Sequence, residues 1–352
     1  MRSHADATRG DGFASIAIAP VRGHEVLMHY RRLRKATCCR DLSVTKWWSL
    51  RLWQLLFALL PVFIGLAEAW AQPTPADFEK FRTRIDDAVR ALGNHPQLKG
   101  IPPNRREQLA EFVSGNMLFV LLHELAHTTI GELDLPVLGK EEDAADSFAS
   151  LTLIHIKSQF SERVLAEAAK GWFMADRRDS KEGEPVRYYD EHGLNQQRAF
   201  QIVCYMVGAD PIRFKDLAGE TKLPADRQQR CSEDYRKAAK SWGMVLQPHV
   251  RAADQPETKI DVVYGEAKGK LEIEAQMARS IRLLDGVAAR SSELVVWPAP
   301  FSLEMQTCGF VNAQWDRSTR KLTLCYELAE DFTELYRDYG IPRSDSRARK
   351  SR

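Results

Sequence analysis

The chain has 352 residues, 44% hydrophobic and 28% charged, an ordinary globular composition with ample length to bury a core. Its formal net charge is +2, but residues 1–71 hold 10 Lys and Arg against 5 Asp and Glu, leaving 40 against 43 elsewhere. No basic stripe remains outside that first segment, which excludes nucleic acid as the expected partner.

Residues 1–71 read as a signal-peptide region. Arg31-Arg32-Leu33-Arg34-Lys35, Lys46 and Arg51 precede an apolar run from Leu52 to Ala67, broken only by Gln54, Pro61 and Gly65. Ala69-Trp70-Ala71 closes it with small residues, and a polar, proline-rich stretch follows. The run falls short of the about 20 apolar residues of a membrane span. The expectation is export to the periplasm or secretion, with cleavage near Ala71. The competing reading is an uncleaved segment that anchors the protein to the inner membrane, the only membrane contact foreseen. The long stretch before residue 44 also fits a start placed too far upstream, with Met28 or a later residue as the true one.

Helical periodicity dominates residues 76–250. It predicts helices over Asp77 to Leu92, Arg106 to Ile130, Glu141 to Phe160, Ser161 to Met174, Glu191 to Gly208 and Gln228 to Trp242, with a charged loop from Asp176 to Glu184. Residues 251–340 change character. Lys259 to Gly265 and Leu294 to Trp297 read as strands around a helix from Leu271 to Ala289, and Val311 to Thr323 reads as two strands about a polar turn. The fold class expected is therefore α+β, a mainly helical core with a small carboxy-terminal sheet packed on it, followed by a disordered tail over residues 341–352.

The second predicted helix carries His123-Glu124-Leu125-Ala126-His127. Histidines at i and i+4 project from one helix face, where both can ligate one zinc ion, and the glutamate between them is placed to take a proton from the metal's water. Catalytic zinc usually has three protein ligands, so a carboxylate from the next helix is needed. Glu142 and Asp146 stand four apart and share a face. That lets Glu142 bind metal while Asp146 accepts a hydrogen bond from a ligand imidazole. Glu141 is the competing ligand, but Ala145 stands four residues on. The expectation is one zinc per chain.

These residues carry a resemblance. His123-Glu124-Leu125-Ala126-His127 followed by Glu142-Asp143-Ala144-Ala145-Asp146 is similar to the gluzincin pattern of thermolysin-like metallopeptidases. More closely, the chain resembles a bacterial zinc-metallopeptidase family catalogued as domain-of-unknown-function family 4344. The words that carry this are Gly115 to His127, Leu135 to Asp146, Glu191 to Arg198, Arg230 to Tyr235, Cys308 to Ala313 and Leu324 to Leu328. The resemblance implies a zincin-like core, a peptide or protein substrate and hydrolysis with Glu124 as general base. It departs from thermolysin-like enzymes in Thr128-Thr129 and in a shorter spacer between His127 and Glu142.

The tetrahedral intermediate of such a reaction needs a donor for its oxyanion. His192 is the candidate, with Tyr188, Tyr189 and Arg198 nearby; Arg198 alternatively pairs with Glu191 or Asp190. Once Cys38 and Cys39 leave with the leader, four cysteines remain, an even number suited to an oxidising compartment. Cys204 with Cys231 and Cys308 with Cys325 is the simplest of three connectivities, the second as a cross-strand bridge pinning the hairpin. The hairpin itself serves either to hold an extended substrate by backbone pairing or as scaffold. The alternative to an enzyme is a non-catalytic envelope protein in which a structural zinc clips the helices together.

Overall fold

A computed structural model describes residues 75–92, 98 and 101–340; the leader expected over residues 1–71 and the tail over residues 341–352 lie outside the described residues. Helix α1 spans Pro75–Leu92, α2 Pro103–Leu133, α3 Glu141–Ile156, α4 Gln159–Glu182, α5 Asn195–Ala209, α6 Lys215–Glu220 and α7 Ala225–Leu246. A small mixed sheet follows, with β1 at Ile260–Tyr264, α8 at Glu272–Ile281, α9 at Leu283–Leu294, β2 at Phe301–Gln306, β3 at Ala313–Asp316, β4 at Lys321–Cys325 and α10 at Tyr326–Leu335. The fold is mainly helical with a four-stranded carboxy-terminal sheet.

Helix α2 is the axis of the structure. It starts on Pro103, whose missing N–H costs nothing at the first helical position, and stops where Asp134 takes a left-handed conformation. Its sequence is apolar nearly all round, long enough to cross a membrane by composition, yet 89% of its apolar window is buried inside the protein. A helix apolar on every side belongs in a core, and α3, α4, α10 and the sheet all pack on it. One continuous apolar cluster links the helices to the inner face of the sheet through Phe112, Phe119, Leu303, Leu322 and Tyr326.

Strand order in the sheet is β1-β2-β4-β3. β1 and β4 flank β2 in parallel, while β3 and β4 form the antiparallel hairpin, Trp315 facing Leu322 in register. β3 is therefore one of the two edge strands, and it lies on α2.

Several boundaries differ from the sequence reading, each for a local reason. The helix expected over Glu141 to Phe160 stops at Ile156 because Lys157 turns left-handed, and Ser158 then caps α4 by accepting from the Ser161 N–H. The charged loop expected over Asp176 to Glu184 is the last turns of α4, which closes at Gly183. Its charges are paired, Arg178 with Asp331 at 2.7 Å and Asp179 accepting from Asn195 at 2.8 Å. Arg282 in left-handed conformation splits the single helix expected over Leu271 to Ala289 into α8 and α9. Leu294 to Trp297 is no strand: α9 runs to Leu294, and Val295 makes only a bridge with Val250. Helices α6 and α10 and strand β2 were not foreseen.

The disulfides pair Cys204 with Cys231, joining α5 to α7, and Cys308 with Cys325. The second is not a cross-strand bridge of the hairpin. Cys308 sits in the loop after β2, where Glu327 also accepts the backbone N–H groups of Cys308 and Gly309.

Next to the first disulfide, α5 and α7 approach so closely that a Cβ on Gly208 would lie 2.2 Å from the Cys231 carbonyl oxygen. Gly208→Ala is expected to lower stability by about 1–3 kcal/mol, because backbone cannot yield as a side chain does; an unchanged urea midpoint would contradict the close approach.

Glu274 on α8 is buried, and one of its carboxylate oxygens has no hydrogen-bond partner among the described residues. Burial pushes its carboxyl up to about 7, with the charge of Glu330 adding to the effect. Above the ordinary value of 4.5 the folded protein thus keeps a proton that the unfolded chain has released. Its contribution is complete below that value and is lost as pH rises through 7. Glu274→Gln should abolish this decline, about 3 kcal/mol at most, and denaturant melts of both proteins from pH 4.5 to 8 read it directly.

Candidate metal centre

Two adjacent helices build the centre. Residues 123 and 127 are one turn apart on α2, so their imidazoles project together toward the first turn of α3. Thr128 and Thr129, which follow them, fold their hydroxyls back onto the carbonyls of Glu124 and Leu125, at 3.0 and 2.6 Å, and so sit in the buried helix without unpaired donors. The loop from Asp134 to Lys140 turns the chain so that α3 begins beside these rings.

Glu142 is the meeting point. Its Oε2 lies 3.0 Å from His123 Nε2, 3.5 Å from His127 Nε2 and 2.9 Å from His192 Nε2. The two α2 imidazoles bring their Nε2 atoms within 3.1 Å of each other. Each of the three rings is held from behind by a carboxylate at Nδ1. Asp146 stands 2.8 Å from His123, Glu141 2.7 Å from His127 and Asp190 3.4 Å from His192. A carboxylate that holds a proton on Nδ1 fixes the ring so that Nε2 is turned inward, with its lone pair exposed to a cation once the proton bonded to Glu142 leaves.

Asp146 is itself anchored. Arg198, at the start of α5, donates from Nε and from a terminal nitrogen to its two oxygens, both at 2.7 Å, and stacks its guanidinium 3.7 Å over Trp172. This bidentate pair is buried, so it fixes direction as well as charge. His192 reaches the centre from the loop between α4 and α5. Asp190 accepts its backbone N–H at 2.9 Å, and Lys140 ties the loop down through the Asp190 carbonyl.

The charges follow from this packing. Burial works against ionisation of Glu142, yet hydrogen bonds from His123, His127 and His192 hold its carboxyl far below the ordinary range. Burial pulls His127 down, but its bonds to Glu142 and Glu141 outweigh it and raise the ring to about 9. His123 is likewise raised: burial is overcome by Asp146 and Glu142. Asp146 is drawn down to about 2, burial being opposed by the charge of Arg198 and the bond to His123. Glu124 behaves oppositely. It is 9% exposed, and burial raises its carboxyl although His123 and His127 pull it back.

His123, His127 and Glu142 offer two imidazole nitrogens and one carboxylate oxygen within 4.8 Å of one another, a group that could hold a metal ion. The donors fit one: both imidazoles are oriented at Nδ1, and the third donor is already a carboxylate at neutral pH. The bonds that protons now make to Glu142 are ones a cation would replace, with release of those protons.

The structure thus brings His123, Glu124, His127, Glu142, Asp146 and His192 to one place. It does not bring Tyr188 or Tyr189, which are 82% and 87% exposed. Arg198 pairs with Asp146 rather than with Glu191 or Asp190. The anchoring parts of Glu141 and Asp190 went unread, since nothing in their spacing distinguishes a carboxylate behind a ring from a solvated one.

Residues 90–246 match the profile of a family described as "Putative metallopeptidase". That range holds every residue of the centre and ends before the sheet, so the family-like words beyond residue 246 lie outside it. The comparisons found no match among curated proteins or among solved structures.

Asp146→Ala should weaken metal affinity roughly ten- to a hundredfold by releasing the His123 ring. Competition against a chromogenic chelator measures this, and undiminished affinity would show that Asp146 orients nothing.

Proposed function

The chain belongs, over residues 90–246, to a metallopeptidase family, and on that premise we propose that it is an exported, zinc-dependent peptidase that hydrolyses peptide bonds of a protein substrate, with Glu124 as general base. The observation that carries this reading is the convergence of two imidazole Nε2 atoms on Glu142 beside the buried carboxyl of Glu124. A mixed nitrogen and oxygen donor set of three, with a fourth position open to water, suits zinc.

A zinc ion held by His123, His127 and Glu142 supplies Lewis acidity, lowering the pKa of water toward neutrality and polarising a carbonyl. The rest is the work of side chains. Glu124, its carboxyl raised by burial, is poised to accept a proton at one oxygen as water adds to the scissile carbon. It then returns that proton to the amide nitrogen, and the carbon–nitrogen bond breaks to give a carboxylic acid and an amine. His192, 47% exposed and directed at Glu142, donates to the carbonyl oxygen while that oxygen carries negative charge. Arg198 acts through Asp146, keeping the His123 ring in place.

The edge strand β3 supports a peptide substrate. Its outer edge, unpaired among the described residues, can add an extended strand, and the Trp315 indole lies 3.7 Å from where a Cβ on Gly131 would be, one turn beyond His127. Export rests on the leader pattern over residues 1–71 and on the two disulfides, which suit an oxidising compartment.

Purified protein should contain one zinc per chain, lost in His123→Ala. Glu124→Gln should keep the metal and lower peptide hydrolysis by roughly 10²–10⁴-fold, whereas full activity in that variant would leave a structural metal only. His192→Gln should reduce kcat by about 10²-fold with KM little changed.

A further inference from the structure

The face of α2 opposite the metal centre borders a cavity of about 550 Å³, within the size range of small-molecule sites. Leu118, Leu122, Leu125 and Thr129 form that wall, positions that follow one side of the helix while His123 and His127 follow the other. Phe148 of α3, Leu283 and Val287 of α9 and Trp297 face them. So large an apolar volume is unfavourable to leave to water and would be filled by hydrocarbon.

The charged residues around it are one-sided. Lys80, Arg84, Arg282 and Arg290 line the cavity together with a single carboxylate, Glu293. Glu293 is already paired to Arg290 at 2.5 Å, and Arg282 is held by Asp285. Arg84 makes no ion pair among the described residues. Lys80 and Arg84 of α1, Arg282 at the end of α8 and Arg290 of α9 thus border the same apolar space. The result is a mainly apolar trunk with a cationic border, and of its buried polar side chains, Thr129 and Ser291, the first already spends its hydroxyl on the Leu125 carbonyl.

We infer that this cavity binds a free long-chain fatty acid, its hydrocarbon tail lying between α2 and α9 and its carboxylate meeting Arg84. Such a ligand packs against the helix that carries Glu124, but its binding needs neither metal nor hydrolysis.

Gly286 of α9 lines the cavity, and a Cβ built there meets no heavy atom within 4 Å, so a large side chain can enter the space without displacing the fold. Calorimetric titration of the full chain with laurate should show one saturable site, roughly tenfold tighter than for decanoate because each added methylene leaves water. Arg84→Glu should weaken laurate roughly tenfold, about the worth of one charge-assisted hydrogen bond, while leaving methyl laurate unaffected. Gly286→Trp should abolish binding of both with an unchanged melting temperature. Absence of saturable laurate binding overturns the inference, as does binding that survives Gly286→Trp in a folded protein; equal affinity for laurate and methyl laurate overturns the carboxylate's place at Arg84.

Discussion

Glu142 is a carboxylate surrounded by three imidazoles, each pushed toward it by a second carboxylate. That arrangement only holds if the rings are fixed, because an imidazole free to rotate offers either nitrogen. Asp146, Glu141 and Asp190 remove the freedom one ring at a time. Asp146, the most buried of them, would be costly to ionise without a partner, and Arg198 supplies one. The chain of dependence therefore runs from Trp172 and Arg198 through Asp146 to His123, across about a fifth of the sequence, and ends at the position where a cation would sit.

The scaffold explains why such a charged group can exist near the core. α2 is apolar on nearly every side, and its partners bury it along most of its length. The turn bearing His123 and His127 faces the acidic first turn of α3. Burial there raises the carboxyl of Glu124 and sharpens every charge interaction around Glu142. The same helix divides the molecule between a polar centre on one face and a hydrocarbon-lined cavity on the other.

The Cys204–Cys231 bridge and the contact at Gly208 lock α5 to α7, and Arg198 lies in the first turn of α5. Features distant from the centre in sequence thereby set the position of the residue that anchors it. The sheet makes a different contribution. Its edge strand β3 lies along α2 just past His127, and the Cys308–Cys325 bridge with Glu327 ties down the loop that leads into that strand.

The sequence by itself determined the helix pair and its chemistry: spacing of four puts His123 and His127 on one face, and the acidic first turn after the Pro136 to Gly139 loop brings carboxylates near them. These are local, periodic constraints, legible without any neighbour. It also indicated the β3–β4 hairpin, from alternation around a polar turn, and the helical character of residues 76–250. Tertiary structure alone decided what each carboxylate does. Glu141, Glu142 and Asp146 are alike as residues, and only the approach of α5, the Asp190 loop and α2 makes one a meeting point and the others supports. The breaks at Lys157 and Arg282, where non-glycine residues turn left-handed, are also set by packing rather than propensity. So is the continuation of α4 through its charged end, because the ion pair of Arg178 with Asp331 joins residues more than a hundred positions apart.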